Sequence, residues 1–305
     1  MAAAVNLDGV VVPPGEARVS VFDRGFLYGD SVYEVVRTYG GRPFELPAHL
    51  ARLARSAARA ALPLRWDAAR TTAEVERTLE AARGGDAPDP AAAPWNVGER
   101  SVRIVMTRGA GELGLDPSLA AHPLAVVIAQ PLAGPPARAY REGVKALLVG
   151  DRRPSTADPS AKTGAHLPHV LAVAEARAAG AHEALLVGPD GGVTEGASSN
   201  LFAVSRGRLL TPPVAAGILE GVTRGVVLAL ARTEGVPVEE RRLAPEDLEG
   251  ADEVFITSTA REILPVTRLG ERAVGAGCPG PVTSALHRAF RRLAGGPGDV
   301  GAAHL

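Results

Sequence analysis

The chain has 305 residues, a formal net charge of −1 at pH 7, 46% hydrophobic residues and one cysteine, Cys278. Its balanced, interspersed charge argues against nucleic acid or an acidic membrane surface as a partner. One cysteine excludes a disulfide framework, and the sequence shows neither a signal peptide nor an apolar run long enough to cross a bilayer. We therefore expect a soluble, cytoplasmic protein whose length corresponds to about two domains.

The first 130 residues predict short strands, then helices, then two buried strands. Runs of apolar and β-branched residues bounded by turns predict strands at 5–12, 17–23, 31–39 and 42–46. Helical spacing of apolar residues begins near His49, and a second helix is predicted over 67–83. Residues 84–99 predict a loop rich in proline, alanine and glycine, and buried strands are expected at 101–107 and 124–130.

Residues 131–140 predict an interdomain linker, after which the pattern changes. Pro168 is a suitable first residue for a helix that reaches about Ala179. Strands are predicted at 143–150, 237–241, 252–258 and 263–267, and a strand-rich stretch at 183–188, 191–196 and 200–213 has hairpin turns at 189–192 and 206–207. Helices are predicted over about 221–233 and near 281–293. Strands and helices mix without strict alternation, so the sequence predicts a mixed α/β or α+β fold with domains at 1–130 and 141–305.

Lysine is scarce in this chain. Of its 33 basic residues only Lys145 and Lys162 are lysines, and the other 31 are arginines. Lys145 falls in an alternating strand, whereas Lys162 lies in a segment between a strand and a helix that is neither a charge run nor an amphipathic face. Because arginine stays protonated and is a poor nucleophile, this scarcity marks Lys162 as a candidate reactive amine.

Three further segments place chemically useful groups at element ends. Glu195 lies at a tight connection between two strands, the segment 218–225 opens a helix with free amides, and a strand ends at Ser258 and Thr259. Together with Lys162, these segments supply an amine, a carboxylate and two anion-binding turns. Those are the parts needed to hold pyridoxal 5′-phosphate.

Other motifs are weaker. The G-x-G-x-x-G pattern at 109–114 lacks the helix that a dinucleotide site needs. His166 and His169 have no cysteine or carboxylate at zinc-site spacing, so no metal site is predicted. No G-x-S-x-G nucleophile elbow is present.

Seven motifs in chain order resemble the class IV (fold type IV) pyridoxal-phosphate aminotransferases, a family of branched-chain aminotransferases, D-amino acid aminotransferases and aminodeoxychorismate lyases. The motifs are FDRGFLYGDSVYEVVRTYGG (22–41), HLARLARSA (49–57), RIVMTRGAGELGLDP (103–117), AKTGAHLPHVLA (161–172), VTEGASSNLF (193–202), TPPVAAGILEGVTR (211–224) and DEVFITSTAREILPV (252–266). The resemblance implies a homodimer with a small N-terminal α/β domain and a larger C-terminal domain that carries the Schiff-base lysine.

The resemblance also implies the roles of single residues. Lys162 would form the internal aldimine with pyridoxal 5′-phosphate and later shuttle the proton, and Glu195 would bond the pyridine nitrogen. Arg52 would hold the phosphate through bidentate hydrogen bonds. The rest of the phosphate cup would be Val222, Thr223, Ser258 and Thr259, and the substrate side would be lined by Tyr28, Tyr33, Arg37 and Arg103.

The sequence departs from the family near the lysine. His166 stands where many members have the tyrosine that bonds the phenolic oxygen of the cofactor, and GAGELGLDP (109–117) replaces the arginine-histidine motif of D-amino acid enzymes. We therefore expect transfer of an amino group from an L-branched-chain amino acid to a 2-oxo acid such as 2-oxoglutarate. The alternatives are a D-amino acid or (R)-amine aminotransferase, an aminodeoxychorismate lyase, or a catalytically idle protein that binds the cofactor.

Overall fold

The computed structural model of the chain describes residues 3–84, 91–153, 158 and 160–295. Contacts divide these residues into two units. The first unit comprises the described residues of Met1–Pro90, Trp95–Ala133 and Ala161–His166, and the second those of Ala91–Pro94, Gly134–Ser160 and Leu167–Leu305. In the described ranges, every helix is too short or too polar to span a membrane.

The first unit is an antiparallel sheet with two long helices. Its elements are β1 (Ala4–Leu7), β2 (Val10–Val12), α1 (Arg24–Tyr28), β3 (Ser31–Tyr39), β4 (Arg42–Pro43), α2 (Leu46–Arg59), α3 (Ala68–Ala81), β5 (Arg100–Thr107) and β6 (Leu124–Pro131). The strand order is β2-β1-β6-β5-β3-β4. Alternate residues of β3 and β5, such as Val32, Val36 and Ile104, are fully buried in one core with Leu50 and Leu53 of α2. Each such side chain stabilises the fold by roughly 1.5–3 kcal/mol.

The second unit contains a mixed parallel and antiparallel sheet. Its elements are α4 (Ala137–Glu142), β7 (Val144–Gly150), α5 (Leu167–Ala178), β8 (Glu183–Val187), β9 (Val193–Gly196), β10 (Asn200–Ser205), β11 (Arg208–Thr211), α6 (Val222–Thr233), β12 (Val238–Glu240), α7 (Pro245–Glu249), β13 (Glu253–Ser258), β14 (Glu262–Leu269), β15 (Arg272–Ala273) and α8 (Pro281–Leu293). The strand order is β12-β11-β10-β13-β14-β7-β8-β9, and β15 pairs with β14. Short 3₁₀ turns lie at Pro14–Glu16, Pro94–Asn96, Pro117–Leu119 and Val214–Ala216.

The mixed α/β fold and most of the elements agree with the sequence predictions, but three segments do not. Residues 17–22 form no strand although they alternate, because Val19 and Val21 are exposed and no described strand pairs with them. The predicted strand at 42–46 stops after two residues, since Glu45 takes a left-handed backbone with φ 53° and α2 then begins. Residues 137–140 of the predicted linker are helical.

The predicted domain division stays a prediction, and the two units differ from it in one segment that bears on function. The six residues that include Lys162 group with the first unit rather than with the C-terminal range 141–305. Residues 85–90 of the predicted loop lie outside the described residues.

Candidate functional site

Lys162 is fixed through its backbone to two elements of the first unit. Its carbonyl oxygen accepts a hydrogen bond from the Tyr33 amide at 3.0 Å, and its own amide donates to Ser56 Oγ on α2 at 3.0 Å. Thr163 forms an isolated antiparallel bridge with Val32 on β3. The lysine backbone is therefore held by contacts distant in sequence. Sequence reasoning missed Ser56, although the motif at 49–57 contains it.

The amine of Lys162 faces an aromatic ring. Its Nζ atom lies 4.4 Å from the centroid of the Tyr33 ring, and in the described part of the chain no carboxylate forms an ion pair with it. Lys145, in contrast, pairs with Glu271 at the surface. The two lysines thus differ in the way that the sequence predicts.

Tyr33 brings three of the predicted site residues together. The guanidinium carbon of Arg103 lies 4.1 Å from the Tyr33 ring centroid. The ring of His166 meets the same tyrosine edge to face, with centroids 4.8 Å apart. Because Val35 pairs with Arg103 in the β3–β5 register, the side chains of Tyr33 and Arg103 share one face of the sheet. Lys162, His166 and Arg103 therefore surround one ring.

Two other predicted substrate residues have defined partners elsewhere in the first unit. The Tyr28 hydroxyl accepts a hydrogen bond from the Gly114 amide at 3.1 Å. Arg37 is 1% exposed, donates to the Trp95 carbonyl at 3.2 Å and lies over the Tyr39 ring. These contacts explain how both side chains are held, and their roles toward substrate stay predictions.

Arg52, the predicted phosphate clamp, binds a buried carboxylate. Its Nε and Nη2 atoms donate to the two oxygens of Glu34 at 2.7 and 2.8 Å. His49 Nδ1 lies 2.7 Å from the same carboxylate, which is fully buried. Burial works to raise the pKa of Glu34, but the hydrogen bonds from Arg52 and His49 outweigh it and lower this pKa to about 2. Glu34 is therefore ionised and orients the Arg52 guanidinium.

This lowered pKa predicts a defined loss of stability in acid. Because the pKa falls from 4.5 to about 2 on folding, Glu34 stabilises the fold above pH 4.5, and this contribution is lost as pH falls from 4.5 to about 2. The contribution is on the order of 3 kcal/mol. Urea unfolding at several pH values should show that Glu34→Gln lacks this pH-dependent part and is less stable at pH 7. Glu80→Gln, which removes an exposed partner of Arg83, is the control and should match the wild type. An unchanged acid profile in Glu34→Gln would contradict the prediction.

In the second unit, the buried carboxylate of Glu195 accepts hydrogen bonds from a guanidinium and a backbone amide. Arg153 Nη1 donates to its Oε1 at 2.9 Å, and the Leu219 amide donates to its Oε2 at 3.0 Å. Arg153 also binds Asp151 through Nε and Nη2. Burial opposes the charge of Arg153, but its hydrogen bond to Asp151 and the charge of Glu195 raise its pKa. Sequence reasoning missed Arg153, because nothing local links it to a residue 42 positions away.

The N-terminus of α6, predicted to hold the phosphate, begins after a glycine and has no side-chain cap. The N-cap residue, Gly221, supplies no side-chain acceptor to the amides of Val222 and Thr223. A Cβ atom on Gly221 would lie 1.9 Å from Asn200 Oδ1, so the close approach requires glycine. Asn200 Nδ2 in turn donates to the Leu219 carbonyl at 2.8 Å and holds the segment before the helix.

Ser258 and Thr259 lie where β13 ends. Ser258 pairs with Glu262 as the last pair of the β13–β14 hairpin, and Thr259 follows in the connecting turn. Beside them, Thr257 Oγ1 is buried and has no hydrogen-bond partner in the described residues. Hydroxyl groups at this strand end are suitable donors to phosphate oxygens.

Comparison with known proteins gives a consistent result. A family model described as "Amino-transferase class IV" matches residues 31–269. A Methanocaldococcus jannaschii protein named "Putative branched-chain-amino-acid aminotransferase" is 39% identical over 292 residues, which cover 95% of this chain and 96% of the relative. A D-alanine aminotransferase of Bacillus licheniformis is 32% identical over 293 residues, which cover 94% of this chain and 95% of the relative. The crystal structure of an Escherichia coli branched-chain amino acid aminotransferase matches with a TM-score of 0.87 at 30% identity. The match covers 96% of this chain and 95% of that structure's chain.

Proposed function

The chain belongs to the class IV aminotransferase family, and we propose that it moves an amino group from an L-branched-chain amino acid to a 2-oxo acid such as 2-oxoglutarate. The family depends on pyridoxal 5′-phosphate, which we propose as the cofactor here. The supporting observation is Lys162, an amine that is anchored by its backbone and has no carboxylate partner in the described residues.

The donor set fits this cofactor. Lys162 offers the amine that reacts with an aldehyde, and Glu195 offers a carboxylate for the pyridine nitrogen. The amides of Val222 and Thr223 and the hydroxyls of Ser258 and Thr259 would hold the phosphate, to which Arg52 would add positive charge. His166 would lie beside the ring hydroxyl.

The reaction places distinct demands on these residues. When bound, the cofactor supplies an aldehyde for condensation with amines and a ring that withdraws electrons. As a neutral amine, Lys162 Nζ would take the α-proton from the substrate, and the ammonium so formed would return that proton later in the amino-group transfer. The carboxylate of Glu195 would keep a proton on the ring nitrogen, and the hydrogen bond from Arg153 holds that carboxylate in place. The guanidinium of Arg103, held over Tyr33, is suited to bind a substrate carboxylate.

The branched-chain substrate is supported by the M. jannaschii relative and the E. coli structure, whose names give this substrate class. D-alanine is the second candidate donor, because a D-alanine aminotransferase is 32% identical over nearly the whole chain.

A donor panel distinguishes these substrates. With 2-oxoglutarate as acceptor, we expect glutamate formation from L-valine, L-leucine and L-isoleucine at a rate at least about tenfold above that from D-alanine or (R)-1-phenylethylamine, a difference of about 1.4 kcal/mol in transition-state binding. Pyruvate release from aminodeoxychorismate should be absent. Activity with D-alanine alone would contradict the branched-chain proposal, and no activity with any donor would favour an idle cofactor-binding protein.

Homodimer formation and a cytoplasmic location complete the proposal. The first unit exposes Val19, Val21 and Phe26, with 51%, 63% and 72% of their surfaces accessible, and a second copy of the chain would cover such side chains. The free thiol of Cys278 suits a reducing compartment.

A further inference from the structure

The turn that carries Ser258 and Thr259 is held by a side chain that the proposed chemistry does not use. Arg261, the last residue of this turn, donates from Nη1 to Glu183 Oε2 at 2.7 Å and from Nη2 to Ser198 Oγ at 2.9 Å. The carbonyl of Arg261 also accepts a hydrogen bond from the Tyr140 hydroxyl at 3.1 Å. The turn between β13 and β14 is therefore fixed by both the side chain and the backbone of one residue.

The partner of Arg261 is a buried carboxylate that also binds a second turn. Glu183, at the start of β8, is 1% exposed. Its Oε2 atom accepts hydrogen bonds from Ser198 Oγ at 2.9 Å and Ser199 Oγ at 3.0 Å. These serines lie in the tight turn that follows Glu195, where the Gly196 amide donates to the Ser199 carbonyl at 2.7 Å.

This second turn packs directly on the Glu183 side chain. A Cβ atom on Gly196 would lie 2.1 Å from Ser199 Oγ and 3.2 Å from Glu183 Cγ, so only glycine permits this packing. Burial, with the charges of Arg261 and Arg177, lowers the pKa of the adjacent His182 to about 4. His182 is therefore neutral at pH 7 and adds no charge beside Glu183 and Arg261.

We propose that Glu183 and Arg261 are positioning residues that tie the turn bearing Ser258 and Thr259 to the turn that follows Glu195. The inference rests on the proposed function, in which these turns hold the phosphate and the ring nitrogen of one cofactor. Glu183 holds the turn after Glu195 through both serines, whereas Arg261 is itself part of the phosphate-side turn and contacts only Ser198 of the other turn, a serine that Glu183 also holds. The two residues should therefore differ in which part of the cofactor they affect.

Equilibrium binding of pyridoxal 5′-phosphate and of pyridoxal, which lacks the phosphate, to the cofactor-free protein tests this difference. Arg261→Ala should raise the Kd for pyridoxal 5′-phosphate about tenfold or more, the usual effect of losing a charged hydrogen bond, and leave the Kd for pyridoxal within about twofold. Glu183→Gln should weaken both ligands, and Arg261→Lys should fall between Arg261→Ala and the wild type. Arg268→Ala, on β14 with a half-exposed side chain bound to Glu271, is the matched control and should change neither Kd.

A second readout does not depend on the cofactor. Hydrogen–deuterium exchange at the amides of residues 258–262 should accelerate in cofactor-free Arg261→Ala and remain unchanged in Arg268→Ala. Equal weakening of both ligands in Arg261→Ala, or unchanged exchange in the turn, would overturn the positioning role. Failure of the wild-type protein to bind either ligand would instead contradict the proposed function, and the exchange measurement would still decide whether Arg261 holds the turn.

Discussion

Replacing Lys162 with alanine is expected to lower kcat for transamination of L-valine by at least about 10³-fold, because the variant loses both a nucleophile and a general base. In the structure no other lysine replaces it, since Lys145 is engaged with Glu271. Arginine at position 162 should be equally inactive, because its guanidinium stays protonated. Steady-state kinetics with saturating cofactor measures the effect.

The control for this prediction is the other lysine. Lys145→Ala removes a surface ion pair and should leave kcat unchanged, since an exposed pair contributes at most about 1 kcal/mol to stability. A Lys162→Ala enzyme with more than a tenth of wild-type activity, or an inactive but folded Lys145→Ala enzyme, would show that the reactive amine has been misassigned.

Glu195→Gln is expected to lower kcat by about 10²-fold, because a neutral amide cannot keep the ring nitrogen protonated while the substrate carbanion forms. The variant keeps the size of the side chain, but its single acceptor oxygen cannot serve both Arg153 and the Leu219 amide, so the thermal midpoint is measured beside kcat to separate a structural from a chemical effect. Measuring kcat at saturating cofactor separates this effect from weaker cofactor binding.

Glu253→Gln is the matched control for Glu195. Both carboxylates are 6% exposed, but Glu253 accepts hydrogen bonds from the Val282 and Thr283 amides and so caps α8. We expect Glu253→Gln to lower the thermal midpoint and to leave kcat unchanged. A Glu195→Gln enzyme with wild-type kcat would exclude the carboxylate from the chemistry.

The periodicity of apolar residues predicted the strands and helices whose buried face can be read from neighbouring positions in the sequence. Alternation in 31–39 predicts β3, and the helix predicted near 281–293 is observed over Pro281–Leu293. The predicted strand at 17–23 was wrong because a strand needs a partner, and partner choice is a property of the whole fold. Glu34 could have been noticed in the sequence, because it shares the buried side of β3 with Val32 and Val36 and therefore needs an opposite charge.

The residues that hold the site together were mostly beyond sequence reasoning. Arg153 reaches Glu195 across 42 residues and Arg261 reaches Glu183 across 78, distances at which no local pattern carries information. The roles of Lys162 and Glu195 came from resemblance to the family rather than from spacing. The scarcity of lysine supported only one part of that assignment, the identity of the amine.

Borohydride reduction of the purified protein, followed by peptide mapping with mass spectrometry, tests most directly whether Lys162 carries the cofactor. Reduction fixes pyridoxal 5′-phosphate to the amine that holds it. We predict the phosphopyridoxyl mass on the peptide that contains Lys162 and on no other. Labelling of the peptide that contains Lys145, or no labelling of a yellow protein, would contradict this assignment.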